Sequence, residues 1–179
     1  MLRAVLAVVL AAAMLAVTAP ALDAARTARA DRVAADELWA VGSAAEELAR
    51  EEDPVPVGSA SARRAVALSV PDSAPTRAEV AAIAVGGVPT TRRPENRTRA
   101  ADTERSDVLA YRLAGGEWCV RRVGVDLRLV RDGRVLRDRR ALVRRGGTHG
   151  LTLRLVRYRG RPTVVVSTAR DERGPGPEV

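Results

Sequence analysis

Between Ala4 and Leu22 the chain runs for nineteen residues without a charge, and only Thr18 and Pro20 interrupt its apolar character, which is Ala, Val and Leu with one Met. A secretory core needs about 7–15 apolar residues and a membrane-spanning helix about 20. This run lies between the two, so it constrains the chain to three arrangements. It is removed on export, kept as an anchor, or buried as the central helix of a globule. Met1-Leu2-Arg3 supplies a minimal positive leader, Asp23 ends the run, and Ala19-Pro20-Ala21 fits the small-x-small pattern for cleavage after Ala21. The twin-arginine route needs paired Arg ahead of the run, where only Arg3 stands. A lipoprotein needs a Cys just behind the run, and the single Cys is Cys119. The general secretory route is therefore expected, with residues 1–21 acting as signal peptide or membrane anchor. Arg26, Arg29 and Arg32 follow the run, so flanking charge does not decide between cleavage and retention.

Residues 22–52 are expected to form an amphipathic helical stem. Ala, Leu, Glu and Arg favour helix. Ala30, Ala34, Leu38, Val41, Ala45 and Leu48 recur at three- and four-residue steps and draw one apolar stripe. Gly42 weakens the middle, and Pro54, Pro56 and Gly58 stop the helix. With the apolar run retained, helix reaches from residue 4 to about 50, roughly 70 Å at 1.5 Å per residue.

The remainder reads as strands. The expected fold class is α+β: an N-terminal hydrophobic and amphipathic helix, then a small antiparallel β-sandwich or rolled sheet over 62–169. "RRAVALSVP" (63–71) alternates as a strand. A helical turn at 76–80 leads into a strand near 81–85. Residues 86–107, polar and rich in Pro, Gly and Arg, are expected to be a mobile loop. From 108 a meander follows, with Leu109, Tyr111 and Leu113 on one face. A bulge at Arg121-Arg122 shifts the phase to Val123, Val125, Leu127 and Leu129. Turns are expected at Asp132-Gly133, at 146–150 and at Arg159–Pro162, and residues 170–179 form a disordered tail.

Charge is segregated. Residues 1–60 carry five Arg against nine acidic residues, and residues 61–179 carry twenty-five Arg against thirteen. Every basic residue is Arg, since the chain has no Lys. Such a basic back half suits an anionic surface or polymer, or self-association. Nucleic acid is disfavoured as a partner. Arg112, Arg122, Arg128 and Arg154 are placed on an outer sheet face, but only Tyr111, Trp118 and Tyr158 offer rings for bases to stack on.

No catalytic constellation appears. His149, the only histidine, sits in a turn-like "RRGGTHG" without a nucleophile elbow, and one His plus one Cys match no metal-ligand spacing. No cofactor or metal is expected, and the protein is read as a non-enzyme. A small secreted hydrolase centred on His149, or a basic module binding an anionic polymer, are the alternatives. Asn96-Arg97-Thr98 is an N-glycosylation sequon on the chain's one Asn.

The leader with its stem, "SARRAVALSVP", and the closing "YRLAGGEWCVRRVGVDLRLV … GGTHGLTLRLVRYRGRPTVVVS" together resemble an uncharacterised family of short haloarchaeal exported proteins. The resemblance implies a cell-envelope role and genomic neighbourhoods with archaeal type IV pilus-like secretion components. It supplies no site residues. Apart from the resemblance, the stem's stripe is expected to dock a partner helix of an envelope or pilus-like protein. The net positive charge departs from the acidic surfaces usual in haloarchaea. The chain also lacks two marks of type IV pilins, a cleavage site before the apolar run and a Glu just inside it.

Overall fold

A computed structural model describes residues 2–71, 74, 76–87, 107–131, 133–136 and 142–168. One helix, α1 (Leu2–Glu51), carries both the apolar run and the stem. Pro20 removes one amide donor, and the helix continues through it. Arg50 in the last turn complements the negative end of the helix dipole. After Pro54 the chain turns to strand: β1 (Val55–Pro56), β2 (Arg63–Val70), β3 (Val80–Val85), β4 (Val108–Leu113), β5 (Trp118–Arg122), β6 (Asp126–Arg131), β7 (Arg134–Val135), β8 (Leu142–Arg144), β9 (Gly147–Tyr158) and β10 (Arg161–Thr168).

The fold is α+β, with the strands in two sheets. The larger has the order β1-β9-β10-β6-β7, with β2 also paired along β9. The smaller has the order β5-β4-β3-β8. Most pairings are antiparallel, but β1 runs parallel to β9 and β6 parallel to β10. The meander expected from residue 108 onward is therefore split between sheets. The phase shift at Arg121-Arg122 is not a bulge. There the chain leaves the small sheet after β5 and enters the large one at β6, through Val123–Val125. A register shift does occur, in β3 between Val80 and Ala82. The helical turn expected at 76–80 is instead a tight bridge, in which Ala74 and Arg77 exchange both backbone hydrogen bonds at 3.0–3.1 Å. Residues 146–150 are not a separate loop, because β9 begins at Gly147 and pairs with β2 from there. The β9–β10 turn matches its expectation. Tyr158 pairs with Arg161 around Arg159 (φ 51°) and Gly160 (φ 79°), the two left-handed residues of a type I′ hairpin. Asp132, Asn96, most of 86–107 and the tail 170–179 lie outside the described residues.

Helix and both sheets meet in one core. All six residues of the apolar stripe are buried, alongside Leu68 and Val70 of β2, Ile83 and Val85 of β3, Leu109 and Tyr111 of β4, and Leu127, Leu151, Leu153, Leu155, Val164 and Val166 of the large sheet. The stripe is thus occupied by the chain's own strands, which leaves no face there for a partner helix. Small helix residues permit the close approach. A Cβ on Gly42 would stand 3.1 Å from Val123 Cγ1 and 3.3 Å from Leu109 Cδ1, tighter than ordinary van der Waals contact.

Substituting Gly42→Val should therefore overpack this contact and cost about 1–3 kcal/mol, despite Gly being a poor helix former. Leu38→Ala, at a fully buried position, should cost about 2–5 kcal/mol. Urea unfolding of the two variants against the native chain checks both values.

Candidate functional site

The same helix has two different surfaces along its length. From Leu2 to Leu22 no described residue packs against it: Leu6, Leu10 and Leu15 are 63–70% exposed. From Ala30 onward its stripe is fully inside the core. α1 is the one described helix long and apolar enough to cross a membrane. At 1.5 Å per residue the run 4–22 covers about 28 Å, close to the ~30 Å hydrocarbon thickness of a bilayer. Among the described residues the run is therefore not the buried centre of the head.

The change of surface occurs within about two helical turns, between Leu22 and Ala30. The amide of Ala78 donates to the carbonyl of Arg26 at 3.3 Å, and this is where the β-head first meets the helix. The amide of Ala114 in turn donates to the carbonyl of Glu79 at 3.0 Å. The Ala74–Arg77 bridge and the β4–β5 turn thus sit together at the end of the head nearest the apolar run.

Carboxylates flanking the stripe hold the helix to the strands. Asp31 accepts from the Tyr111 hydroxyl. Glu37 Oε2 accepts the Ser69 amide at 2.8 Å, and Glu46 Oε1 accepts the Gly124 amide at 2.9 Å. Arg64 of β2 pairs with Glu47 and, at 3.3 Å, with Glu51. Sequence reasoning placed the stripe but missed these contacts. The available signal was the acidic front facing a basic back, which the structure uses within the chain at Arg64.

The basic strand residues do not form one face. Arg112 and Arg122 belong to the small sheet, Arg128 and Arg154 to the large one. Arg154 and Arg128 flank Val165 in one row across β9, β10 and β6, with Arg63 of β2 beside Arg154. Arg154 donates to Ser61 Oγ and the Ser59 carbonyl, both at 3.0 Å. Arg128 donates to the Asp126 carboxylate at 3.3 Å and lies 5.8 Å from the Tyr158 ring. Arg112 lies over Trp118 at 5.3 Å, and Arg121 over the exposed Trp39 at 4.7 Å. The guanidinium groups of Arg112, Arg121, Arg128 and Arg154 are each held by a ring, a carboxylate or an oxygen of Ser59 and Ser61, while Arg122 is exposed.

At the far end of the head a cleft of about 520 Å³ opens between the helix end and the large sheet, lined in part by Glu46, Arg50, Asp126 and Pro162. Its two carboxylates already serve structure. Asp126 accepts from Thr163 Oγ1 at 2.9 Å as well as from Arg128, and Glu46 holds Gly124. His149 is in β9 opposite Leu68, half-exposed, with Nε2 3.0 Å and 3.3 Å from the carbonyl oxygens of Gly146 and Arg145. It therefore sits at a strand start, not in the turn that its sequence indicated. Among the described residues no group of three or more His, Cys, Asp or Glu is placed to hold a metal ion. The sequon at Asn96 lies outside the described residues.

Burial raises the Tyr111 phenol well above its ordinary 10.0, with the Asp31 carboxylate and the exposed Cys119 thiol pushing the same way. A group held protonated in the fold contributes stability that is complete below its unfolded pKa and is lost as pH climbs above it. Stability should fall above about pH 10, and no Lys titration overlaps that limb. Tyr111→Phe should cost on the order of 1–3 kcal/mol at neutral pH through loss of the bond to Asp31, and should flatten the alkaline limb. Urea midpoints collected from pH 7 to 11 would show both effects.

The sequence profile of a family described as "Domain of unknown function (DUF7311)" matches residues 1–169, so it takes in the apolar run, the stem and the β-head together. No curated protein and no solved structure matches the chain.

Proposed function

The chain belongs to the DUF7311 family, and from that premise we propose that it is a membrane-tethered cell-envelope protein acting through contact, not catalysis. The observation that carries this reading is the continuity of α1. One unbroken helix is bare and apolar over a bilayer's thickness and then becomes the core of the head. Eight Leu or Val residues between positions 4 and 22 favour insertion by about 2–5 kcal/mol in total on a translocon scale. Left in water, the same surface forms an apolar patch that soluble monomers rarely expose. The non-catalytic reading is supported by how Glu46, Asp126 and His149 are engaged: each holds a backbone or a neighbouring side chain in place. The finer assignment, an accessory component of a pilus-like or secretion assembly in a haloarchaeal envelope, rests on the sequence resemblance alone. Its partner would have to bind outside the buried stripe.

The test is N-terminal sequencing combined with membrane fractionation of the native protein. The expected result is a chain beginning at Met1 in the membrane pellet after an alkaline carbonate wash. A chain beginning at Leu22 in the soluble exported fraction overturns the tether, and a full-length chain soluble in the cytoplasm overturns the placement altogether. Removal of residues 1–21 should free the protein from the membrane while changing head stability by no more than about 0.5 kcal/mol, because core burial begins at Ala30. Thermal or urea unfolding of the shortened chain measures that difference.

A further inference from the structure

We infer that the open edge of β5 is a docking site for an extended acidic segment of another protein, which adds to the small sheet as a further antiparallel strand. This rests on the contact role proposed above and names the surface and the partner for it.

An edge strand offers every second backbone N–H and C=O to whatever lies alongside. β5 ends the small sheet, and among the described residues no strand pairs with its outer side. The register shows which groups are open. The Val108 carbonyl accepts from Gly86, just past β3, at 3.0 Å, so Val108 bonds away from its β5 partner Arg122. One residue on, Val123 donates to the Asp107 carbonyl at 2.8 Å, which fixes the same phase. Sides alternate along a strand, so Cys119 and Arg121 bond to β4 while Trp118, Val120 and Arg122 turn their amides and carbonyls to the open edge. Cys119, Val120, Arg121 and Arg122 are all exposed, Val120 by 53%. The other sheet ends are short or guarded. β1 and β7 have two residues each and β8 three. β2 has its Ser69 amide taken by Glu37 and its Arg64 held by Glu47 and Glu51.

The side chains of β5 select the partner. Arg121 and Arg122 are consecutive, so they project to opposite faces. Arg121 lies over Trp39 on the helix side, and Arg122 shares the outer face with Val120 and Trp118. Among the described residues neither guanidinium has a carboxylate partner. Glu46 holds the Gly124 amide, Asp107 is already engaged, and Glu117 stands at the opposite end of the edge. An added strand therefore meets positive charge at the Arg121-Arg122 end and apolar surface beside Val120 and Trp118. Acidic residues at its first positions and β-branched ones after them satisfy both, because opposite charges on adjacent strands stabilise the pair. Every pairing in the small sheet is antiparallel, and the same sense is continued. A second copy of this chain fits poorly. Cys119 pairs with Tyr111, which bonds Asp31; Arg121 lies over Trp39; Gly124 bonds Glu46. β5 thus runs alongside α1 in the same sense. Two β5 edges pairing antiparallel would point their helices in opposite directions, which one membrane does not permit, and would gather four guanidinium groups.

The test uses the full chain in phosphatidylcholine nanodiscs and two blocked peptides, EETVTVT and KKTVTVT. The acidic peptide should bind at least about tenfold more tightly. It should slow amide exchange at Val120 and Arg122 while leaving Cys119 and Arg121, already bonded to β4, unchanged. Val120→Pro removes an amide that faces only the open edge, so circular dichroism should match the native chain while peptide affinity falls about tenfold. Arg121→Glu combined with Arg122→Glu should reverse the order of the two peptides. Equal affinity for both peptides, or binding of neither, overturns the inference. Binding without protection at Val120 and Arg122 shows charge attraction without strand addition and also overturns it. Should Val120→Pro not fold, the exchange pattern of the native chain decides alone. Protection at Val120 and Arg122 before peptide is added, in a chain that is dimeric, assigns the edge to a second copy instead. Failure of binding in a chain that stays in the nanodisc leaves the tether standing; a chain that does not enter nanodiscs overturns the tether, and the peptides are then read on the soluble chain.

Discussion

Burial of the stripe from Ala30 to Leu48 is the interaction on which the rest of the structure depends. A chain without Phe and with four other aromatic residues has few large side chains with which to fill a core. It compensates by bringing backbones close together. Ala30, Ala34, Ala45 and Gly42 let strands of both sheets lie near the helix axis, and Leu38, Val41 and Leu48 fill the space between them. Among the described residues, the helix is the one element that packs on the inner faces of both sheets. Remove the helix and the leucines of β9, with Ile83 and Leu109, lose their common neighbour. The helix is thus not a stalk carrying an independent domain; it is the element on which the head is built.

Polar contacts fix how the helix sits on that core. Glu37 and Glu46 cap backbone amides that strand pairing leaves open, at Ser69 and at the sheet-to-sheet crossing beside Gly124. Glu47 and Glu51 hold Arg64, and these part-exposed ion pairs contribute more to register than to stability. Of the described basic residues on the strands, Arg64 is the one seen paired with helix carboxylates, while Glu37, Glu46 and Asp31 hold two backbone amides and a tyrosine hydroxyl.

Local features of the fold were legible where one physical pattern dominates. The stripe follows from its 3.6-residue period, the Arg159-Gly160 hairpin from its turn chemistry, and β2 from alternation. What the sequence did not disclose was non-local. Nothing in "WCVRRVGVDLRLV" distinguishes a bulge from a crossing between sheets, because both shift the inward phase by one residue. The parallel pairing of β6 with β10 joins segments more than thirty residues apart, and alternation carries no information about which strand lies alongside. His149 was misplaced because glycines on either side resemble a turn, whereas here they continue into a strand bonded to β2. The contacts of Glu37 and Glu46 were hidden for a related reason, since their partners are backbone amides that no residue type announces.

The central claim is that the apolar run and the core stripe are one rigid helix, without a hinge between Leu22 and Ala30. Amide hydrogen exchange of the full chain in lipid nanodiscs tests it most directly. A rigid helix gives slow exchange running without a gap from the apolar run through Asp23–Arg29 into the stripe. Fast exchange confined to Asp23–Arg29, between two protected segments, would mean that the head swings on a joint, and would contradict the account.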